Sequence, residues 1–135
     1  MPKEIIELRL PLRLEFLPVL RATSGVIAAV ISFTYDEIME FRIAVAEAFS
    51  LAMKHSTHAE AVSKGKALVV RFEIEQEKIE VYIIEPKDSP LWVESEEDEE
   101  SQALIRGSMD EVEFGAETIG MPLIRMVKYR KKSGS

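Results

Sequence analysis

A single carboxylate, Glu47, stands inside the most regularly patterned stretch of the chain, FTYDEIMEFRIAVAEAFSLAMKH from Phe33 to His55. One helical turn further on, on the same face, stands Leu51. A carboxylate can accept a proton, but a leucine one turn away offers it no polar company. Read plainly, Glu47 is a solvated or hydrogen-bonded residue and Leu51 a core residue. His55 and His58, spaced i,i+3, are of a type that could share a metal, yet no third ligand accompanies them and ordinary exposed histidines are expected. Further on come Glu94, Glu96, Glu97, Asp98, Glu99 and Glu100, either a solvated loop or a docking surface for a basic partner. Trp92, beside Leu91, precedes that run and has the character of an interface anchor. The group Arg125, Lys128, Arg130, Lys131 and Lys132 is small and terminal, which suits a solubilising end better than a nucleic-acid site.

Bulk properties narrow the classes. A chain of 135 residues, 47% hydrophobic, is long enough for one domain with a real core and too short for two. It has no apolar run long enough to span a bilayer, no signal-peptide core at MPKEIIELRL, and no cysteine for disulfides or thiolate metal sites. The net charge of −7 argues against general nucleic-acid binding. A cytoplasmic protein is expected.

The elements that must position these residues follow from periodicity. Ile5 to Leu12 alternates apolar and polar residues from Ile6 onward, as a half-buried strand does, and Pro11 confines it to an edge or a strand end. Glu15 to Ile31 is helical by the recurrence of Phe16, Leu17, Leu20, Ile27 and Val30, with Pro18 in its first turn. Gly25 weakens that helix by roughly 1 kcal/mol relative to Ala, or admits a close neighbour. Thr34-Tyr35-Asp36-Glu37 forms a capping box opening the long helix, whose buried face carries Ile38, Phe41, Val45, Ala48, Phe49 and Ala52. Lys66–Glu75 and Lys78–Ile84 make an antiparallel hairpin. Glu85 to Glu100 is a break, Gln102–Met109 a short helix, and Asp110–Ala116 with Met121–Arg130 a second hairpin across Glu117 to Gly120. The expected architecture is α+β: a two-layer sandwich, mainly antiparallel sheet with helices on one face. Residues 1–132 are expected to form one domain, followed by a disordered tail at 133–135.

This order, with IELRLP, TYDEI, RIAVAEAFSLAMKH, KIEVYIIEPKDS and SMDEVEF in it, resembles the anti-sigma-factor serine kinases of the Bergerat (GHKL, histidine-kinase-like) ATPase superfamily across residues 4 to 130. The resemblance implies an ATP-binding fold in which a helical Glu orients or deprotonates an attacking hydroxyl and an Asn one turn later holds magnesium. Glu47 matches the first; Leu51 replaces the second, and magnesium requires oxygen ligands. The family's adenine-binding Asp-x-Gly-x-Gly corresponds to Glu85, with Lys87 and Asp88 where small residues belong. No Gly-x-Gly phosphate turn is found, and the acidic run stands where the family has a flexible lid.

The expectation is therefore a regulatory protein-binding domain without ATP or magnesium as cofactors and without a catalytic residue, Trp92 anchoring an interface or plugging the former nucleotide pocket. The alternative is an ATP-dependent serine-protein kinase acting on an anti-anti-sigma factor, with Glu47 as base and Glu85 receiving adenine. Implied partners are a sigma factor, a phosphorylatable STAS-type antagonist and a second copy of the chain. The expected contact residues are Phe16, Leu17, Leu20, Trp92, Glu96, Glu97 and Asp98; neither nucleic acid nor membrane is expected as a partner.

Overall fold

The computed structural model describes residues 2–56, 67–84, 98–115 and 123–131, the side chains of His55 and Ser56 excepted. In chain order they form β1 (Glu4–Pro11), a 3-10 turn (Leu14–Phe16), α1 (Leu17–Val30), α2 (Tyr35–Ser56), β2 (Ala67–Ile74), β3 (Lys78–Ile84), α3 (Glu99–Ser108), β4 (Glu111–Phe114) and β5 (Ile124–Tyr129). The strands make one antiparallel sheet in the order β1-β2-β3-β5-β4.

The alternation of each strand separates two faces. The rows Ile6–Phe72–Val81–Met126–Val112 and Leu8–Val70–Ile83–Ile124–Phe114 run across all five strands on the helix-covered side, and all but the exposed Ile6 join the core. The intervening rows are Glu7–Arg71–Tyr82–Arg125–Glu113 and Ile5–Glu73–Glu80–Val127–Glu111. Charges on that second face are paired rather than bare. Glu80 accepts from the Tyr82 hydroxyl at 2.6 Å and lies 3.1 Å from Lys78 Nζ and 3.3 Å from Arg125 Nη2. Burial pushes the Glu80 carboxyl up, but the Tyr82 hydroxyl and the two cations outweigh it and hold it below the usual value.

The capping box forms as the sequence predicts. Thr34 N donates to Glu37 Oε1 at 2.7 Å, and Glu37 N donates to Thr34 Oγ1 at 3.2 Å. From there α2 buries Phe41, Val45, Ala48, Phe49 and Ala52. In α1 the buried stripe is Leu17, Leu20, Ser24, Ile27 and Ala28. Val30, expected on that stripe, lies outside it and is 70% exposed. A Cβ at Gly25 would sit 3.0 Å from Arg42 Cδ, so the glycine admits a close neighbour: Arg42 of α2 crosses α1 there. α3 starts at Glu99 and so takes in two residues of the expected break. β4 pairs with β5 as expected; the turn at 117–120 falls outside the described residues. No helix among the described residues is long and apolar enough to cross a membrane.

Candidate functional site

α2 supplies Glu40, Glu47, Leu51 and Lys54 along one flank, and α3 is tied to that flank in three places. Lys54 Nζ lies 3.0 Å from Asp98 Oδ1, at the N-terminal end of α3. Ser101 Oγ donates to Glu47 Oε1 at 2.7 Å. At the other end, Lys128 of β5 donates both to Glu40 Oε2 (2.8 Å) and to the Ser108 carbonyl (2.7 Å). Ascending residue numbers on α3 meet descending numbers on α2, so the two helices run antiparallel. Ile105 inserts into the core between these ties and Met109 just beyond the last of them.

Leu51, one turn beyond Glu47, is a core residue at 3% exposure and presents hydrocarbon where a polar ligand would have to stand. Glu47 is half-buried with the Ser101 hydroxyl as its partner. The pair is a hydroxyl donating to a carboxylate at ordinary hydrogen-bond length. Beneath the start of α2, Glu37 is 1% exposed and accepts from the Lys131 amide at 2.9 Å as well as from Thr34. Burial raises its carboxyl, but the Thr34 and Lys131 amides, with the nearby Lys128 charge, leave it lowered overall.

Several expectations are corrected. Leu17 and Leu20 belong to the core and are not available as contact residues; Phe16 is only partly buried but packs against the same cluster. The physical reason is the phase of α1, whose inward stripe includes both leucines. Asp98 is fully buried against Lys54 instead of lying on an acidic surface. Lys128 is a buried cation joining β5, α2 and α3, not part of a terminal solubilising group. Glu85, Lys87, Asp88, Trp92, Glu96, Glu97, His58 and the side chain of His55 lie outside the described residues. Among the described residues, no three His, Cys, Asp or Glu side chains are grouped to hold a metal. Nothing in spacing marks Ser101. Lys128 does carry a signal, since alternation in IRMVKY puts it on the face of Ile124 and Met126.

A five-stranded antiparallel sheet with α2 and α3 packed on one side, and a helical glutamate at their junction, makes a two-layer α+β domain, consistent with the histidine-kinase-like fold that the sequence resemblance implies. No family model matches the chain. Curated relatives do. It is 33% identical over 86 residues to the serine-protein kinase RsbW of Bacillus velezensis, covering 64% of this chain and 52% of that protein. The RsbW of Bacillus subtilis is 30% identical over the same length and coverage. That of Staphylococcus aureus is 33% identical over 87 residues, covering 64% of this chain and 54% of the relative. These matches make the chain similar to RsbW serine-protein kinases over 64% of its own length. It spans about half the length of the relatives it matches.

Proposed function

We propose that this chain is an anti-sigma-factor-like regulatory domain that binds protein partners without binding ATP or transferring phosphate. One observation carries the reading: at the position where the family resemblance calls for a magnesium-holding Asn, Leu51 is sealed into the core. Magnesium demands oxygen ligands in near-octahedral geometry, and a buried leucine supplies none. The donor set therefore does not fit a metal–triphosphate pair. Support comes also from α3, which lies along the same flank of α2 and engages Glu47 through Ser101. Residues 1–132 act in this reading as one Bergerat-type domain in the cytoplasm, with a sigma factor and a STAS-type antagonist as partners. A second copy of the chain completes the assembly.

The relatives' own name, serine-protein kinase, favours one rival: an ATP-dependent serine kinase with Glu47 as base and Glu85 as adenine acceptor. Calorimetric titration with Mg-ATP separates the two. No heat of binding at tens of micromolar is expected from the wild type, and Leu51→Ala should lose about 2–5 kcal/mol of stability in urea without gaining affinity. Micromolar binding abolished by Glu85→Ala overturns the reading.

A further inference from the structure

At one end of the molecule β1 begins, the β2–β3 turn closes and the chain leaves β5. There Glu4, Val30, Ile31, Ser32, Gln76 and Arg130 line a cavity of about 350 Å³, at the small end of the range for ligand pockets. The cavity is remote from the α2–α3 flank. Glu47 lies 12 residues along α2 from Tyr35, roughly 18 Å at about 1.5 Å per residue.

Arg130 brings the donors. Its backbone amide is fixed on the Glu77 carbonyl at 2.7 Å, but its guanidinium is under-used. Nη1 reaches the Ile31 carbonyl and Nη2 the Glu77 carboxylate, both at 3.5 Å, the outer limit of a hydrogen bond. Nε is closed off from solvent with no partner, and each Nη keeps a second N–H to give. Glu4 brings the acid. Alternation sets it on the helix-covered side, in the row of Ile74 and Ile79. Its carboxylate makes no ion pair among the described residues, so acid and base face one cavity without pairing.

α1 ends at this cavity in a Schellman turn: Ser32 N donates to the Ala29 carbonyl at 3.0 Å and Phe33 N to the Ala28 carbonyl at 3.2 Å. The end of a helix favours a cation. Ser32 stands at φ 64°, a left-handed conformation that such turns normally give to glycine. Serine there keeps a hydroxyl on the cavity wall at the cost of backbone strain, and residues strained in this way cluster at ligand sites. Gln76 adds an amide, while the exposed Val30 and the buried Ile31 supply hydrocarbon.

We infer that this cavity is a binding site for a small zwitterion, an α-amino acid with an aliphatic side chain. The ligand carboxylate takes the spare N–H groups of Arg130 and the Ser32 hydroxyl. The ammonium takes the Glu4 carboxylate at the negative end of α1. The side chain lies against Val30 and Ile31. A carboxylate alone leaves Glu4 unanswered, and an amine alone leaves Arg130 so. The site stands independently of whether the α2 flank holds a nucleotide.

Calorimetric titration of the full chain with L-leucine, L-isoleucine and L-valine tests it. Saturable binding of at least one is expected. The same skeletons lacking the carboxylate (3-methylbutylamine for leucine) or the ammonium (4-methylpentanoate) should bind at least about tenfold more weakly. Glu4→Gln, at an exposed position, and Arg130→Gln should each raise Kd about tenfold or more. Because Arg130 also touches Ile31 and Glu77, Ser32→Gly gives a separate readout. It should weaken binding while raising the melting temperature, since glycine relieves the left-handed strain; a purely structural serine would not weaken binding. No saturable heat with any of the three amino acids overturns the site. So does binding indifferent to both charge changes, or a singly charged analogue that binds as tightly as its parent.

Discussion

Glu37 concentrates four roles in one side chain. It closes the capping box with Thr34, anchors the chain end through the Lys131 amide, feels Lys128 nearby, and is buried. Its folded-state carboxyl lies below the ordinary value of 4.5, so its contribution is fully present above that value and is lost as pH falls through the folded one. Urea midpoints of Glu37→Gln measured between about pH 3 and pH 6 should therefore fall less steeply on acidification than those of the wild type. At neutral pH Glu37→Ala is expected to lose about 1.5–3 kcal/mol, the usual worth of hydrogen bonds to a buried charged group. Gly25 makes a different case. A mid-helix Gly→Ala change should gain about 1 kcal/mol by propensity, but here the new methyl meets Arg42 Cδ at 3.0 Å. The gain should be missing in the wild-type background and emerge once Arg42→Ala clears the contact, a coupling a double-mutant cycle reads directly. Sequence alone announced that Gly25 was either a weakness or a close approach. It could not name Arg42, because a residue lying 17 positions away on another helix leaves no mark on local spacing.

Among the elements, α3 is the one held mostly by polar ties. Ten residues are too few for a stable isolated helix, so its order depends on Ser101–Glu47, Lys54–Asp98, Lys128–Ser108 and the buried Ile105. Ser101→Ala should cost about 1 kcal/mol and Lys128→Ala about 1.5–3 kcal/mol. Hydrogen exchange in the amides of α3 should quicken in both variants while β2 and β3 stay protected. Equal loss of protection in the sheet would place α3 inside the main cooperative unit instead. The strands and α2 were legible because their periods of two and 3.6 run uninterrupted, and β3 was located to the residue. The start of α3 was not. Acidic residues at 94–100 speak of a solvated loop, yet negative charge also favours the first turn of a helix, where Glu99 and Glu100 stand. The burial of Asp98 was equally hidden, since it depends on a lysine 44 residues earlier.

For the molecule as a whole, the two sides of the sheet obey different physics. The helix-covered side is mainly apolar, its charges few and held in the Lys128–Glu40 and Lys54–Asp98 pairs, whereas the other is a lattice of paired charges through Glu7, Arg71, Glu73, Lys3, Glu80, Lys78, Arg125 and Glu113. Individually such surface pairs are worth little, but the Glu80 cluster, partly covered and lowered in pKa, adds to the same acid-sensitive limb as Glu37. The position of β1 has a further outcome for how the polypeptide is made. Pro11 pairs with Ala67 and Glu4 with Ile74, so the strand leaves the ribosome well before its ladder partner has been translated. Both of its borders are then unoccupied until β2 has been made. A strand left open in this way, before the sheet has closed over it, is the natural hazard of this topology, and chaperone capture of β1 would be its remedy.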